Sequence, residues 1–127
     1  MTPEDRRRRT DRAGRTGEVL AELYLRLKGY RILARRFRHP LGEVDLLALA
    51  PRSRDFPTLV AVEVKRRLLL DDAALALRSR QQRRIAQAAR GFLGSRRGFE
   101  RATLRFDLVL IAPGRWPRHL VSAWQEE

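Results

Sequence analysis

The apolar positions of this chain alternate between helical and strand-like spacing. From Thr16, the stretch TGEVLAELYLRLKG places five apolar residues on one stripe of a helix, and Gly29 is a suitable C-terminal stop. The stripe consists of Val19, Leu20, Leu23, Tyr24 and Leu27. This spacing predicts a first helix with the stripe as its apolar face.

A second helical pattern lies in the middle of the chain, in LLLDDAALALRSRQQRRIAQAARGFLG. Ser79 is followed three residues later by Gln82, which resembles a capping box. We therefore expect the main helix to begin at Ser79 and to end near Leu93, before Gly94.

Three strand-like runs lie between the helices and two follow the second helix. They are YRILARRF, GEVDLLALA, TLVAVEVKRR, TLRFDLVLIAP and RHLVSAW. The order helix, three strands, helix, two strands predicts an α/β fold with a mixed sheet covered by helices. Residues 15–127 would form this single domain, and residues 1–14 are predicted to be a basic, disordered arm.

The second and third strands are predicted to pair as an antiparallel hairpin around a loop of residues 51–57. Paired positions then share a constant sum of 108, which sets Asp45 directly opposite Glu63. Two-residue periodicity puts Lys65 on the same face, across from Glu43. The other face is expected to be apolar and to pack on a helix, through Val44, Leu46, Val62 and Val64.

Two adjacent carboxylates allow two interpretations. They repel each other and raise a pKa unless a cation lies between them, and a hard divalent ion such as Mg²⁺ or Mn²⁺ relieves that repulsion. Such an ion also polarises a phosphoryl oxygen, while a neighbouring lysine stabilises charge or helps to position water. The alternative is a cross-strand salt-bridge network of Glu43, Asp45, Glu63 and Lys65.

Composition narrows the choice of partner. The 127 residues carry a formal charge of +13 with a pI near 11.7, which favours a polyanion, and nucleic acid is the first candidate. The lack of cysteine excludes disulfides and thiolate zinc sites, and His39 and His119 alone supply His-dependent nuclease motifs poorly. No run approaches transmembrane length and the N-terminus is not a secretory signal, so we expect a cytoplasmic protein without a membrane partner.

Lys65 differs from almost all other basic residues of the chain. Of 28 lysines and arginines, only Lys28 and Lys65 are lysines, and the arginine excess is consistent with a GC-rich genome. A lysine at the hairpin therefore suggests a need for its compact, titratable ammonium group rather than for charge alone.

The pattern D-x(17)-E-x-K across a hairpin resembles the signature of the PD-(D/E)XK nuclease superfamily. More narrowly, the chain resembles the YraN family of small bacterial endonuclease-like proteins, through GEVDLLA, VAVEVKRR, the Gln/Arg helix, RFDLVLI and the ending HLVSAW. This resemblance implies a restriction-endonuclease-like fold. The chain departs from the family pattern at Arg36, where Asn is expected, and at Arg66, where Thr often follows the lysine.

The resemblance also implies roles for individual residues. Asp45 and Glu63 would be metal ligands together with the backbone carbonyl of Val64, and Lys65 would be the third active-site residue. Glu18 matches a helix-one glutamate that completes the site in related nucleases, with the alternative that it only complements the helix dipole.

Other candidates lie farther along the chain. Gln81 would approach the cleft from the second helix, whereas Gln82 is better explained as a cap. Asp107 is explained equally well by a pairing with an arginine such as Arg105 and stays outside the catalytic set. His39, His119, Trp116 and Trp124 are expected to be loop, surface or packing residues. Six arginines are candidates for contacting phosphates: Arg36, Arg38, Arg66, Arg67, Arg83 and Arg84.

Together these features predict a Mg²⁺- or Mn²⁺-dependent endonuclease that hydrolyses phosphodiester bonds. The resemblance and the charge imply branched or single-stranded DNA, in preference to RNA, as the substrate in recombination, repair or DNA uptake. The alternative is a non-catalytic nucleic-acid-binding module that recruits a partner. A homodimer and a protein partner in DNA processing are compatible with both.

Overall fold

The structure, a computed structural model, describes residues 16–52, 55–66 and 79–126. Within these ranges the chain forms two helices and five strands. They are α1 (residues 16–27), β1 (Arg31–His39), β2 (Gly42–Leu49), β3 (Thr58–Arg66), α2 (Ser79–Ser95), β4 (Thr103–Ile111) and β5 (Arg118–Trp124). The predicted arm, Arg67 and the first part of the second helical pattern lie outside the described residues.

The strands form one mixed sheet in the order β1-β2-β3-β4-β5. Neighbouring strands are antiparallel except β3 and β4, which run parallel. A parallel pair needs a crossover connection, and α2 lies in the connection between these two strands. The predicted α/β class, with a mixed sheet flanked by helices, is confirmed.

Each face of the sheet is covered by one helix. Alternate residues of β3 point to opposite faces, so Leu59 and Ala61 pack with α2 while Val60 and Val62 pack with α1. The α2 side of the core is built by Ile85, Ala88, Ala89 and Phe92, and the α1 side by Ala21 and Leu25. An apolar core therefore lies on each face of the sheet, between the sheet and the helix that covers it.

The buried face of α1 is not the stripe that the spacing predicted. Val19, Leu20 and Leu23 are exposed, and Leu27 is 81% exposed. The helix instead approaches the sheet through the small residues Gly17 and Ala21 together with Leu25. Small residues permit close packing but contribute little to an apolar periodicity, which is why the prediction was wrong.

Gly29 ends α1 as predicted. Its φ is +92°, in the left-handed region that favours glycine. The N–H of Gly29 donates to the carbonyl of Arg26 and that of Tyr30 to the carbonyl of Leu25, both at 3.0 Å. This pair of hydrogen bonds is a Schellman motif, which turns the chain into β1.

Gly42 brings the start of β2 against the backbone of α2. A Cβ at this position would lie 1.8 Å from the carbonyl oxygen of Arg84, so even an alanine would force the helix away from the sheet. This close approach holds the first turns of α2 above the β2–β3 hairpin.

Candidate active site

The predicted register of the hairpin is confirmed. The pairs of β2 and β3 run from Leu49↔Leu59 to Leu46↔Val62, and each has the constant sum of 108. The ladder stops one pair short of Asp45 and Glu63. Beyond it, the Asp45 carboxylate continues the contact between the strands, since its Oδ2 accepts a hydrogen bond from the Val64 N–H at 2.8 Å.

The side-chain alternation of β1 and β2 shifts by one position at this same row. Leu46 packs on the α1 side, but Val44 packs on the α2 side, so the prediction that the two share a face was wrong. In the β1–β2 register, the pairs Arg35↔Leu46 and Phe37↔Val44 flank Arg36 and Asp45, and Arg36 has a φ of +46°. A non-glycine residue in this conformation costs about 1–3 kcal/mol. The shift coincides with this local backbone conformation, which single-sequence periodicity does not report.

Asp45 and Glu63 form a carboxyl pair at the point where the ladder ends. Glu63 is only 7% exposed. Burial, followed by the hydrogen bond to Asp45 and the charge of Asp45, raises the pKa of Glu63 to about 10, and the nearby charge of Lys65 lowers it only in part. At neutral pH, Glu63 therefore keeps its proton. Gln81 of α2 donates a 3.4 Å hydrogen bond from Nε2 to Oε2 of Glu63, so it reaches the cleft as expected.

Lys65 lies half-buried on β3, two residues beyond Glu63. Within the described parts of the chain it makes no salt bridge, and the ion-pair partner of Glu43 is Arg38, at 3.9 Å. The closed cross-strand salt-bridge network that was the alternative interpretation is therefore not what this part of the structure contains.

Glu18 faces the cleft. Its carboxylate accepts a 2.7 Å hydrogen bond from Nε of Arg36. Both residues line a cavity of about 170 Å³ together with Arg38, Glu43, Val44 and Asp45. The first turn of α1 thus contributes an acid to the same cavity as Asp45, and this acid is paired with Arg36.

The remaining arginine candidates lie around this region. The side chain of Arg66 packs against Gly17 at the start of α1, since a Cβ at Gly17 would lie 3.5 Å from Cγ of Arg66. Arg83 and Arg84 are exposed on α2, which carries no acidic residue along its whole length. Arg67 falls outside the described residues.

The donor set suits a hard divalent cation. In a β-strand the N–H and C=O of one residue point to the same side, so the Val64 carbonyl is directed toward the β2 side where the ladder has ended. Among the described residues, no three Asp, Glu, His or Cys side chains are arranged so that they could hold a metal ion by themselves. Asp45, Glu63 and this carbonyl would leave several positions for water and phosphate, as Mg²⁺ prefers.

Both helices start at one end of the sheet, which we call the site end: the end where β2 begins and β3 and β4 finish. Gly17 of α1 lies beside Arg66 and Ile111, the last residues of β3 and β4. Gln81 of α2 lies beside Glu63. Because helix N-termini carry partial positive charge, both helix dipoles favour an anion at this end.

A second polar cluster, which the sequence interpretation largely missed, lies on the α1 side of the sheet. Asp107 is fully buried and accepts hydrogen bonds from Arg105 at 2.7 and 2.9 Å and from Nε2 of His119 at 2.7 Å. Burial raises the pKa of Asp107, but these hydrogen bonds outweigh burial and hold the pKa below its usual value.

The same cluster extends to Lys28, whose ammonium lies 2.7 Å from Nδ1 of His119. Since the ammonium can only donate, Nδ1 accepts and Nε2 carries the proton that bonds Asp107. The pairing of Asp107 with Arg105 was expected. The hydrogen bonds of His119 to Lys28 and Asp107 were not expected, because the sequence suggested a loop, surface or packing residue.

Comparison with known proteins places the chain in a family. The sequence model of "Uncharacterised protein family UPF0102" matches residues 17–111, which include all of β1 to β4 and α2. The chain belongs to this family. A UPF0102 protein of Parvibaculum lavamentivorans is 52% identical over 114 residues, covering 90% of this chain and 82% of the relative. One of Methylorubrum extorquens is 47% identical over 125 residues, covering 98% and 94%.

A third UPF0102 protein, from Nitrobacter winogradskyi, is 51% identical over 112 residues and is covered over 91% of its length. The similarity therefore extends over most of each protein, including the hairpin and α2. In the described residues of this UPF0102 protein, neither helix is long and apolar enough to cross a membrane.

Proposed function

We propose that this UPF0102 protein is a metal-dependent endonuclease of the PD-(D/E)XK superfamily, related to the YraN proteins, that hydrolyses phosphodiester bonds. The observation that carries the proposal is the carboxyl pair of Asp45 and Glu63. It lies where the β2–β3 ladder ends, with Lys65 two residues farther along β3. Burial and the Asp45 carboxylate disfavour the ionised form of Glu63, and a divalent cation between the two carboxylates would relieve their repulsion.

In the proposed reaction, Asp45, Glu63 and the Val64 carbonyl would hold Mg²⁺ or Mn²⁺. When bound, such an ion polarises a phosphoryl oxygen and lowers the pKa of a water molecule. Lys65 stabilises the negative charge of the scissile phosphate or orients the attacking water. Gln81 holds the Glu63 carboxyl group in place through its hydrogen bond.

Glu18 and Arg36 make a second contribution in this scheme. Arg36 is held in the cavity by Glu18 and is close enough to Asp45 to meet a phosphate that enters. An arriving phosphate competes with Glu18 for the guanidinium group. Release of Glu18 would then free its carboxylate for the metal or for a water molecule.

Charge supports a polyanionic substrate, and the resemblance to the YraN proteins is the basis for the choice of DNA structure. The net charge of +13 and the exposed arginines of α2 favour a polyanion contacted mainly through its phosphates. We favour DNA over RNA, and branched or single-stranded regions over intact duplex.

The decisive experiment is a panel of labelled DNA and RNA structures incubated with Mg²⁺ or Mn²⁺ and resolved on a denaturing gel. We expect wild-type protein to cut branched or single-stranded DNA, and Asp45→Asn to bind the same DNA without cutting it. Binding by wild-type protein without cleavage of any substrate would favour the alternative, a nucleic-acid-binding module that recruits a partner.

Metal binding can be tested without a substrate. Because Glu63 must lose its proton to become a ligand, we expect calorimetry with Mn²⁺ to show binding coupled to proton release, detectable as different heats in buffers of different ionisation enthalpy. Asp45→Asn should abolish this signal, while the exposed control Glu43→Gln should keep it. Equal binding by wild type and Asp45→Asn would remove Asp45 from the ligand set.

A further inference from the structure

A second cavity, distinct from the one at Asp45, lies between α2 and the end of β5. Its volume is about 210 Å³, below the range of about 300–1,000 Å³ typical of sites for drug-sized ligands. It is lined by Ser79, Gln82, Arg83, Ala86, Gln87, Trp124, Gln125 and Glu126. The size suits one small ring system rather than a base pair.

One wall of this cavity is an aromatic ring fixed in position. Trp124 stacks on Phe106, with ring centroids 5.3 Å apart and planes inclined by 22°. The residues after β5 are tied to α2, since Arg90 donates hydrogen bonds of 2.8 and 2.5 Å to the carboxylate of Glu126. The indole thus forms a rigid wall, and the charge of Glu126 is balanced by Arg90.

The rest of the lining is rich in amide groups. Gln82, Gln87 and Gln125 each carry a donor and an acceptor side by side, the arrangement that pairs with the edge of a nucleobase. Arg83 adds a cation at the same cavity for a phosphate next to such a base. An aromatic wall with amide side chains around it matches a planar, hydrogen-bonding heterocycle.

We propose that this cavity accepts one unpaired nucleobase of the nucleic acid substrate, stacked on Trp124 and contacted by the amides of Gln87 and Gln125. The inference rests on the proposed function only in taking nucleic acid as the ligand. A base inside a duplex cannot enter unless it leaves the stack, so the cavity selects single-stranded or distorted regions. Gln81 and Gln82 are adjacent in α2. Gln81 contacts Glu63 and Gln82 lines this cavity, so a nucleic acid strand that crosses the first turns of α2 would pass both the candidate active site and the cavity.

The test uses Trp124 as its own reporter. The chain has two tryptophans, and Trp116 is 79% exposed in the turn between β4 and β5. Trp116→Phe leaves Trp124 as the sole indole. In EDTA, without metal, the fluorescence of this variant is titrated with a short single-stranded DNA and with an abasic oligomer of the same length and phosphate number.

We expect the DNA to quench Trp124 and to bind about 5- to 150-fold more tightly than the abasic oligomer, the range expected for one stacked base. Gln87→Leu, added to the same background, should weaken binding of the DNA several-fold and leave binding of the abasic oligomer unchanged. Equal affinity and equal quenching by the two oligomers, or equal weakening of both by Gln87→Leu, would overturn the proposal.

This experiment separates the two proposals. The titration is carried out without metal and therefore does not depend on cleavage. If the protein binds a base but never cuts DNA, the base site stands and the nuclease function is wrong. If the protein cuts DNA but binds normal and abasic oligomers equally, the nuclease function stands and the base site is wrong.

Discussion

Lys65 is positioned by β3 two residues beyond Glu63, and its charge lowers the pKa of that buried acid. Lys65→Arg keeps this charge but replaces a compact ammonium with a planar, bulkier group. We expect the variant to fold and to bind DNA with near wild-type affinity, yet to lose roughly a hundredfold in cleavage rate, the scale of removing one preorganised electrostatic group. Binding is measured by fluorescence anisotropy and cleavage by single-turnover gel assays.

The matched control for Lys65→Arg is Lys28→Arg, which changes the other lysine on the far side of the sheet. Its ammonium bonds His119 rather than the carboxyl pair, so cleavage should change little. If Lys65→Arg cuts DNA at the wild-type rate, catalysis does not depend on the compact ammonium group of Lys65, and the role proposed for this lysine is wrong.

The raised pKa of Glu63 makes stability depend on pH. The ordinary pKa is 4.5 and the folded value is about 10, so between these values the folded state holds a proton that the unfolded state has lost. The free energy of unfolding therefore falls as pH rises through this window, by up to about 1.4 kcal/mol per pH unit, and this contribution is fully lost above the folded pKa. Glu63→Gln removes the titration and retains a similar shape.

Urea unfolding at pH 6, 7.5 and 9 tests this expectation. The stability advantage of Glu63→Gln over wild type should grow with pH in metal-free buffer. Glu43→Gln, an exposed change on the neighbouring strand, should show a much smaller trend, because the charge of Glu43 is the smallest of the causes that shift the pKa of Glu63. Parallel pH profiles for wild type and Glu63→Gln would mean that Glu63 titrates normally in the folded protein.

The placement of these single residues was only partly accessible from the sequence. The constant sum of an antiparallel hairpin sufficed to bring Asp45 to Glu63, because the loop length fixed the register. The face of Val44 was not accessible, because the side-chain alternation shifts at the row beside Arg36, whose left-handed backbone periodicity does not report. The Asn that the family resemblance suggests at position 36 adopts this conformation more readily than Arg does. The departure from the family pattern at Arg36 was visible in the sequence, but the left-handed backbone conformation at this position was not.

At the scale of whole elements, strands were easier to predict than the orientation of helices. The five strand runs lie close to β1 to β5, since alternating apolar residues and turn residues specify both the strands and their ends. For α1, residue size misled the prediction. The sheet packs against the face with Gly17, Ala21 and Leu25, whereas Leu20, Leu23 and Leu27 are exposed. Only the partner surface decides which side of a helix is buried when both sides carry apolar residues.

Two leucines of α1 test this orientation. Leu25 is fully buried against the sheet, whereas Leu27 is almost fully exposed. We expect Leu25→Ala to lower the free energy of unfolding by about 2–5 kcal/mol, because it leaves a cavity under the helix. Leu27→Ala should change it by no more than about 0.5 kcal/mol, as for an ordinary surface position. Chemical denaturation of both variants is the measurement, and a reversed order would show that the predicted stripe is the buried face after all.

The molecule has a polarity along its strands, because the candidate site lies at one end of the sheet. The carboxyl pair, Lys65, the cavity at Glu18 and the first turns of both helices all lie at the site end of the sheet. Gly29, at the C-terminal end of α1, lies against Pro51, just beyond the end of β2 and therefore at the opposite end. The sequence indicated the excess of positive charge but not this arrangement, because it follows from the sheet order and from the directions of α1 and α2.

This polarity predicts how salt affects DNA binding. Each phosphate neutralised by a basic side chain adds about 0.9 to the slope of log affinity against log salt for duplex DNA, and about 0.7 for single strands. Arg83 and Arg84 lie on the first half of α2 near the site end, whereas Arg97 lies just after its C-terminal end. We expect steep salt dependence with little sequence preference for the wild type, since phosphates rather than base edges supply most of the attraction.

Neutralising the two sets of arginines should then have different effects. The double variant Arg83→Gln, Arg84→Gln should reduce the slope by about one to two, with similar losses for unrelated DNA sequences. Arg97→Gln removes a charge from the opposite end of α2 and should leave the slope nearly unchanged, although it lowers the net charge of the molecule. Anisotropy titrations between low and moderate salt give both slopes. If net charge alone attracted DNA, each lost arginine would matter equally, wherever it lies. A slope that falls only with the α2 pair would instead place the phosphates of the bound strand over the start of α2, beside Glu63 and its neighbours.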